Sequence, residues 1–187
     1  MTALATNNDD NAVHGDARGA GDQYLTFMLA GEEYGVEILK VQEIKGWGAT
    51  TPIPNTPAYV LGVLNLRGAV VPIVDLRQLF GLESVEYGPT TVVIVVKMAC
   101  AEQERTVGLV VDAVADVYRF ESDEVQPPPE MGTAINIGFV RGLATVQEKM
   151  VIVLDVDSLI DFRALQDRDK DLAPVASAAA ASKKDLQ

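Results

Sequence analysis

Two aspartates hold matching places in this chain, and they are the first residues that could do chemistry. Asp75 follows the apolar run VVPIV, and Asp155 follows MVIVL. Two carboxylates brought together can share one proton, as in an aspartic-protease dyad. The flanking residues oppose that chemistry: Leu76 and Val156 come next, where a dyad needs a Thr/Ser-Gly turn to present each carboxylate. Each aspartate is expected instead to cap the short helical turn after it by accepting a backbone N–H. Asp155, Asp157 and Asp161 share only their spacing with a calcium loop, since the turn glycine and the closing glutamate are missing.

Other reactive side chains are scarce. His14, the single histidine, lies in a polar amino-terminal stretch, and Cys100 is the single cysteine. Histidine-based catalysis, an internal disulfide and a cysteine zinc site are therefore excluded. Cys100 reads as a small buried hydrophobe at a strand end. Gly46-Trp47-Gly48 has no following lysine or helix to cradle a phosphate, and no Gly-x-Ser-x-Gly elbow exists. No catalytic residue, metal or cofactor is expected. With 27 acids against 15 bases the net charge is −12, which argues against nucleic acid as a ligand.

Arg67 stands out for a different chemistry. It joins Gly68 between the apolar runs YVLGVLNL and AVVPIVDL, where glycine admits the positive φ of a tight hairpin. It reads as a lone cation at a hairpin tip, placed to reach a carboxylate on a partner. The two runs themselves read as strands buried on both faces.

The elements that must position these residues are β-strands. The 187-residue chain is 48% apolar, enough for a core, and has no apolar run near the ~20 residues of a membrane span. Its acidic, polar start is not a signal peptide, so the chain reads as soluble and cytosolic. Residues 1–22 read as a disordered tail and 163–187 as a helix end with a low-complexity tail. Between them, strands are expected at 24–29, 33–36, 41–47, 91–98, 105–111, 116–120, 139–145 and 149–154, besides the hairpin around Arg67. TPIPNTP (51–57) and QPPPE (126–130) read as proline loops, and 157–167 as a docked helix.

An internal repeat organises the strands. YVLGVLNLRGAVVPIVDL lies over FVRGLATVQEKMVIVLDV without a gap, matching Gly62 to Gly142 and Asp75 to Asp155. Upstream, YGVEILKVQEI lies over VGLVVDAVADV, matching Gly35 to Gly108 and Val41 to Val114. Arg67 meets Gln147, so the arginine occurs in one copy only. Two copies of a roughly five-stranded unit, each small enough to close into a barrel, follow from this repeat. Two packed barrels create a seam that can accept a partner helix, with Val41 and Val114 on opposite sides. A proline-peptide groove around Tyr24, Trp47 and Tyr59 is the weaker expectation, because aromatics make up only 6% of the chain.

EEYGVEILKVQEI, NTPAYVLGVLNLRGAVVPIVDLR, TVVIVV and VGLVVDAVADV, in this order, together resemble the CheW family of chemotaxis coupling proteins. The resemblance implies an all-β fold of two SH3-like five-stranded β-barrels with short helical turns and a C-terminal helix. The resemblance runs from about Gln23 to Ile160 and implies a CheW-like domain at 23–162, with a first barrel at about 23–85, a second at about 86–156, and strands that the family exchanges between them. It implies a non-enzymatic scaffold that couples chemoreceptor cytoplasmic tips to the regulatory domain of the histidine kinase CheA. Further CheW copies would join in rings, in cytoplasmic arrays at the membrane. Carried onto matching positions, the implied receptor contacts are Val41, Glu43, Gly62, Arg67, Gly108, Val114 and Val117. The segments MACAEQER (98–105) and EMGTAINIGFV (130–140) depart from the shorter family pattern.

Overall fold

A computed structural model describes residues 21–100, 103–129 and 138–159. In chain order the strands are β1 Asp22–Leu29, β2 Glu32–Glu37, β3 Val41–Gly46, β4 Val60–Leu66 and β5 Ala69–Asp75, then β6 Val92–Cys100, β7 Gln103–Val111, β8 Ala113–Phe120, β9 Val140–Val146 and β10 Lys149–Leu154. Helix α1 (Leu76–Leu79) follows β5, α2 (Val156–Leu159) follows β10, and a 3₁₀ turn, Ile38–Lys40, separates β2 from β3. The amino-terminal tail up to residue 20 and the expected helix beyond 159 lie outside the described residues. β1 already begins at Asp22, inside the stretch expected to be tail.

The strands form two five-stranded sheets, each curled as an SH3-like barrel, with orders β8-β1-β2-β10-β9 and β3-β6-β7-β5-β4. A cut near residue 85 therefore does not separate the barrels. The second sheet uses one contiguous segment, β3 through β7, while the first combines β1 and β2 with β8 to β10. One barrel is inserted into the other. The chain crosses between them at the 3₁₀ turn and again at Asp112, the single residue between β7 and β8.

Each crossing is followed by the same pairing logic. β5 runs parallel to β7, with Ile73 opposite Gly108, and β10 runs parallel to β2, with Val153 opposite Gly35. Parallel partners need long connections: α1 and β6 lie between β5 and β7, and the whole inserted barrel lies between β2 and β10. Both hairpins, β4–β5 and β9–β10, turn on two residues with positive φ: Arg67 (53°) and Gly68 (91°), Gln147 (48°) and Glu148 (68°). That is the turn whose twist matches the flanking strands.

Alternating residues put one side of each sheet into a shared core that joins Leu25, Phe27, Leu29 and Val36 to Ile94, Val96, Leu109 and Val111. The other sides form separate cores, Tyr24, Phe120, Val151 and Val153 in one barrel and Val71, Ile73, Val93 and Val110 in the other. Each side chain so buried contributes about 1.5–3 kcal/mol. β5, β6 and β7 are apolar on both faces because they have a core on each side. β4 is apolar too but less buried than the sequence reading expects: it is an edge strand, and only Gly62 within it is fully buried.

Candidate functional site

The paired aspartates resolve first. Asp75 is buried; its Oδ1 accepts from the Arg77 N–H at 2.8 Å, and its Oδ2 from the Tyr87 hydroxyl at 2.8 Å and Gln78 Nε2 at 3.1 Å. Asp155 accepts from the Asp157 N–H at 3.1 Å and from Ser158 Oγ at 2.8 Å. Both are caps of the turn that follows, and Asp75 also holds Tyr87 from the linker beyond it. Burial, then the hydrogen bond to Asp75, pushes the Tyr87 hydroxyl far above the usual tyrosine range. Among the described residues no group of three His, Cys, Asp or Glu could hold a metal.

Arg67 is not a lone cation. Its Nη2 donates to Glu43 Oε2 at 2.9 Å, although 89% of the arginine side chain stays exposed. Glu43 lies on β3 and Arg67 at the β4–β5 tip, at opposite ends of the strand order. The pair thus bridges the gap where this sheet curls back on itself, which local periodicity could not reveal. Asn65 supports the tip by accepting from the Gly68 N–H at 2.8 Å.

The expected contact residues fall into two groups. Val41 and Val114 are half-buried against the shared core, at the starts of the edge strands β3 and β8, and Val117 on β8 is 41% exposed. With Glu43 and Arg67 they offer surface. Gly62 and Gly108 do not. Gly62 (φ 130°) lies directly beneath Thr51, whose N–H and carbonyl bridge Val63, so a Cβ there would run into the Thr51 carbonyl oxygen. Gly108 sits in β7 where a Cβ would come 2.5 Å from Ile73 Cδ1 and 2.7 Å from Val93 Cγ1. Their role is to let backbones approach closely.

Two further apolar residues escaped the sequence analysis. Leu39 in the 3₁₀ turn is 93% exposed and Ile44 on β3 is 46% exposed. The signal was the excess of large apolar residues in EILKVQEI, more than one strand face can bury. None of Leu39, Ile44 and Val117 carries a reactive group. Exposed apolar side chains suit apolar contact, which neighbouring charges such as Glu43 and Arg67 can orient.

Residues 23–164 match the CheW-like domain family. The chain belongs to the CheW family. It is 43% identical over 140 residues to the chemotaxis protein CheW of Klebsiella aerogenes, covering 75% of this chain and 82% of that one. It is 28% identical over 153 residues to CheW of Bacillus subtilis, covering 82% and 96%. The crystal structure of the scaffolding protein TtCheW from Thermoanaerobacter tengcongensis superposes with a TM-score of 0.69 at 32% identity, covering 79% of this chain and 93% of that one. A CheW fold with scaffold relatives agrees with carboxylates used as caps and an apolar exposed surface. No described helix is long and apolar enough to cross a membrane.

Proposed function

We propose that this CheW-family chain is a cytoplasmic adaptor that couples the cytoplasmic tips of chemoreceptors to the histidine kinase CheA in membrane-associated arrays, without catalysis of its own. The observation that carries the proposal is the Glu43–Arg67 pair, with the exposed Ile44 beside Glu43 on the edge strand β3 and the exposed Leu39 in the turn that leads into it. Val41, Glu43, Arg67, Val114 and Val117 contact the receptor hairpin. Gly62 and Gly108 act indirectly, by shaping the strands that carry those contacts. The CheA regulatory domain and further copies of the chain attach barrel to barrel.

Co-sedimentation with a receptor cytoplasmic fragment and CheA tests the proposal. Both partners should bring the chain down, and failure with both sinks the adaptor function. Because most of its guanidinium faces solvent, Arg67→Ala should weaken receptor capture while circular dichroism stays unchanged. Loss of the β-sheet signal would make Arg67 a folding residue instead.

A further inference from the structure

The two crossings between the barrels are each held by an ion pair, and the two pairs have opposite polarity. At the second crossing, Arg77 Nε and Nη2 grip Asp112 Oδ1 and Oδ2 at 2.7 and 2.6 Å. Asp112 Oδ2 also accepts the N–H of Ala30, in the β1–β2 turn of the other barrel, at 2.9 Å. At the first crossing, Lys40 Nζ meets Asp157 Oδ2 at 2.6 Å, and Asp157 Oδ1 accepts the Ala99 N–H of β6, again in the other barrel, at 2.6 Å. The cation is on α1 in one pair and on the crossing in the other. An isolated surface ion pair contributes little, but each of these acids also takes a backbone N–H across the barrel boundary.

The polarity matters because the repeat makes a second strand pairing available. β2 matches β7 and β5 matches β10 in the repeat, so β5 could equally lie beside β2, and β10 beside β7. The observed registers, Asp75 opposite Val110 and Val153 opposite Gly35, carry Arg77 to Asp112 and Asp157 to the Leu39–Lys40 step. The alternative would bring Arg77 to Lys40 and Asp157 to Asp112. Both contacts would be between like charges, which disfavours that topology.

We infer that Arg77–Asp112 and Lys40–Asp157 are positioning pairs that admit only the inserted arrangement of the barrels and thereby fix where β3 and β8 present the docking residues. Lys40 directly precedes Val41, and Asp112 lies two residues before Val114. Loosening either pair frees the strand that starts there. The inference rests on the adaptor function proposed above only for its binding readout.

The test uses the full-length chain with Cys100→Ser and spin labels at Lys45→Cys on β3 and Ala115→Cys on β8. Arg77→Asp should broaden the label-to-label distance distribution and weaken receptor-fragment binding by about tenfold. Adding Asp112→Arg should restore the narrow distribution and bring affinity back within about threefold of wild type. An unchanged distribution in Arg77→Asp, or no recovery in the double variant, overturns the inference. If Arg77→Asp does not fold, Lys40→Asp with and without Asp157→Lys gives the same comparison at the more exposed crossing. A parent chain that binds no receptor fragment refutes the adaptor function, while the distance measurements still judge the pairs.

Discussion

The two hairpins β4–β5 and β9–β10 share a backbone and differ in what their tips carry. Both turn on two positive-φ residues, and both have a proline loop laid across the edge strand. The loop is pinned by the Thr51–Val63 bridge in one and the Gln126–Leu143 bridge in the other, each over a glycine. Both end in a capping aspartate. At one tip Arg67 reaches Glu43; the other tip is Gln147-Glu148, and Asp116, the repeat match of Glu43, turns its carboxylate to the Val117 N–H instead. The scaffold was duplicated in full, while the cation was not. A shared framework with unshared side chains separates what holds the fold from what recognises a partner.

The glycines under the proline loops give the largest test of that separation. Gly62→Ala adds positive-φ strain to a clash with backbone and should cost about 3 kcal/mol or more in urea denaturation. Gly142→Ala meets the Val125 Cγ1 at 2.6 Å and the Gln126 oxygen at 2.7 Å without positive-φ strain, and should cost about 1–3 kcal/mol. Equal losses would mean that the first loop yields more readily than its contacts suggest.

The capping aspartates come next. Asp75→Ala removes a buried acceptor of three hydrogen bonds and should cost about 2–3 kcal/mol, against about 1 kcal/mol for Asp155→Ala. Tyr87 reports on the same site. A raised hydroxyl pKa means that stability is complete below the ordinary tyrosine value and is lost as pH rises through it towards the folded value. Ultraviolet titration should show Tyr87 ionising well above ordinary tyrosines. Asp75→Asn should lower it only partway, because burial is the larger cause.

At the tips, stability and recognition should part. Arg67→Ala should change stability by less than about 1 kcal/mol yet weaken receptor binding by about tenfold or more, whereas Gln147→Ala should alter neither. Equal binding losses at both tips would erase the distinction between them. The smallest effect is expected at Glu148, a non-glycine residue at φ 68°. Glu148→Gly should stabilise by less than about 1 kcal/mol in a thermal melt.

Strand and turn positions were legible because apolar alternation is local and Arg67-Gly68 is a local turn signal. The cap roles of Asp75 and Asp155 were legible for the same reason. The repeat alone did not show the insertion of one barrel into the other, since the Gly35–Gly108 and Asp75–Asp155 matches leave β5 equally suited to β2 or β7; exchanged strands were an expectation from the family resemblance only. Lys40, Arg77, Asp112 and Asp157 help to break that tie, and their signs acquire meaning once the parallel registers are known. Gly62 came in as a contact from the family motif, and its sequence position does not show the proline loop that crosses above it. Arg67 looked solitary because Glu43 reaches it through barrel closure.

The inserted topology also sets a schedule for the growing chain. All five strands of the contiguous barrel have been made by residue 111, but the surrounding barrel must wait for Leu154. During synthesis β1 and β2 therefore emerge first and find a complete sheet last. For that interval the residues that cover Ile94, Val96 and Leu109 from the other side, Leu25, Phe27 and Leu29, belong to a sheet that is still incomplete. A ribosome-stalled chain with residues up to about 112 clear of the exit tunnel should protect β3–β7 from protease while leaving β1–β2, which still lack β8 and β10, open to cleavage.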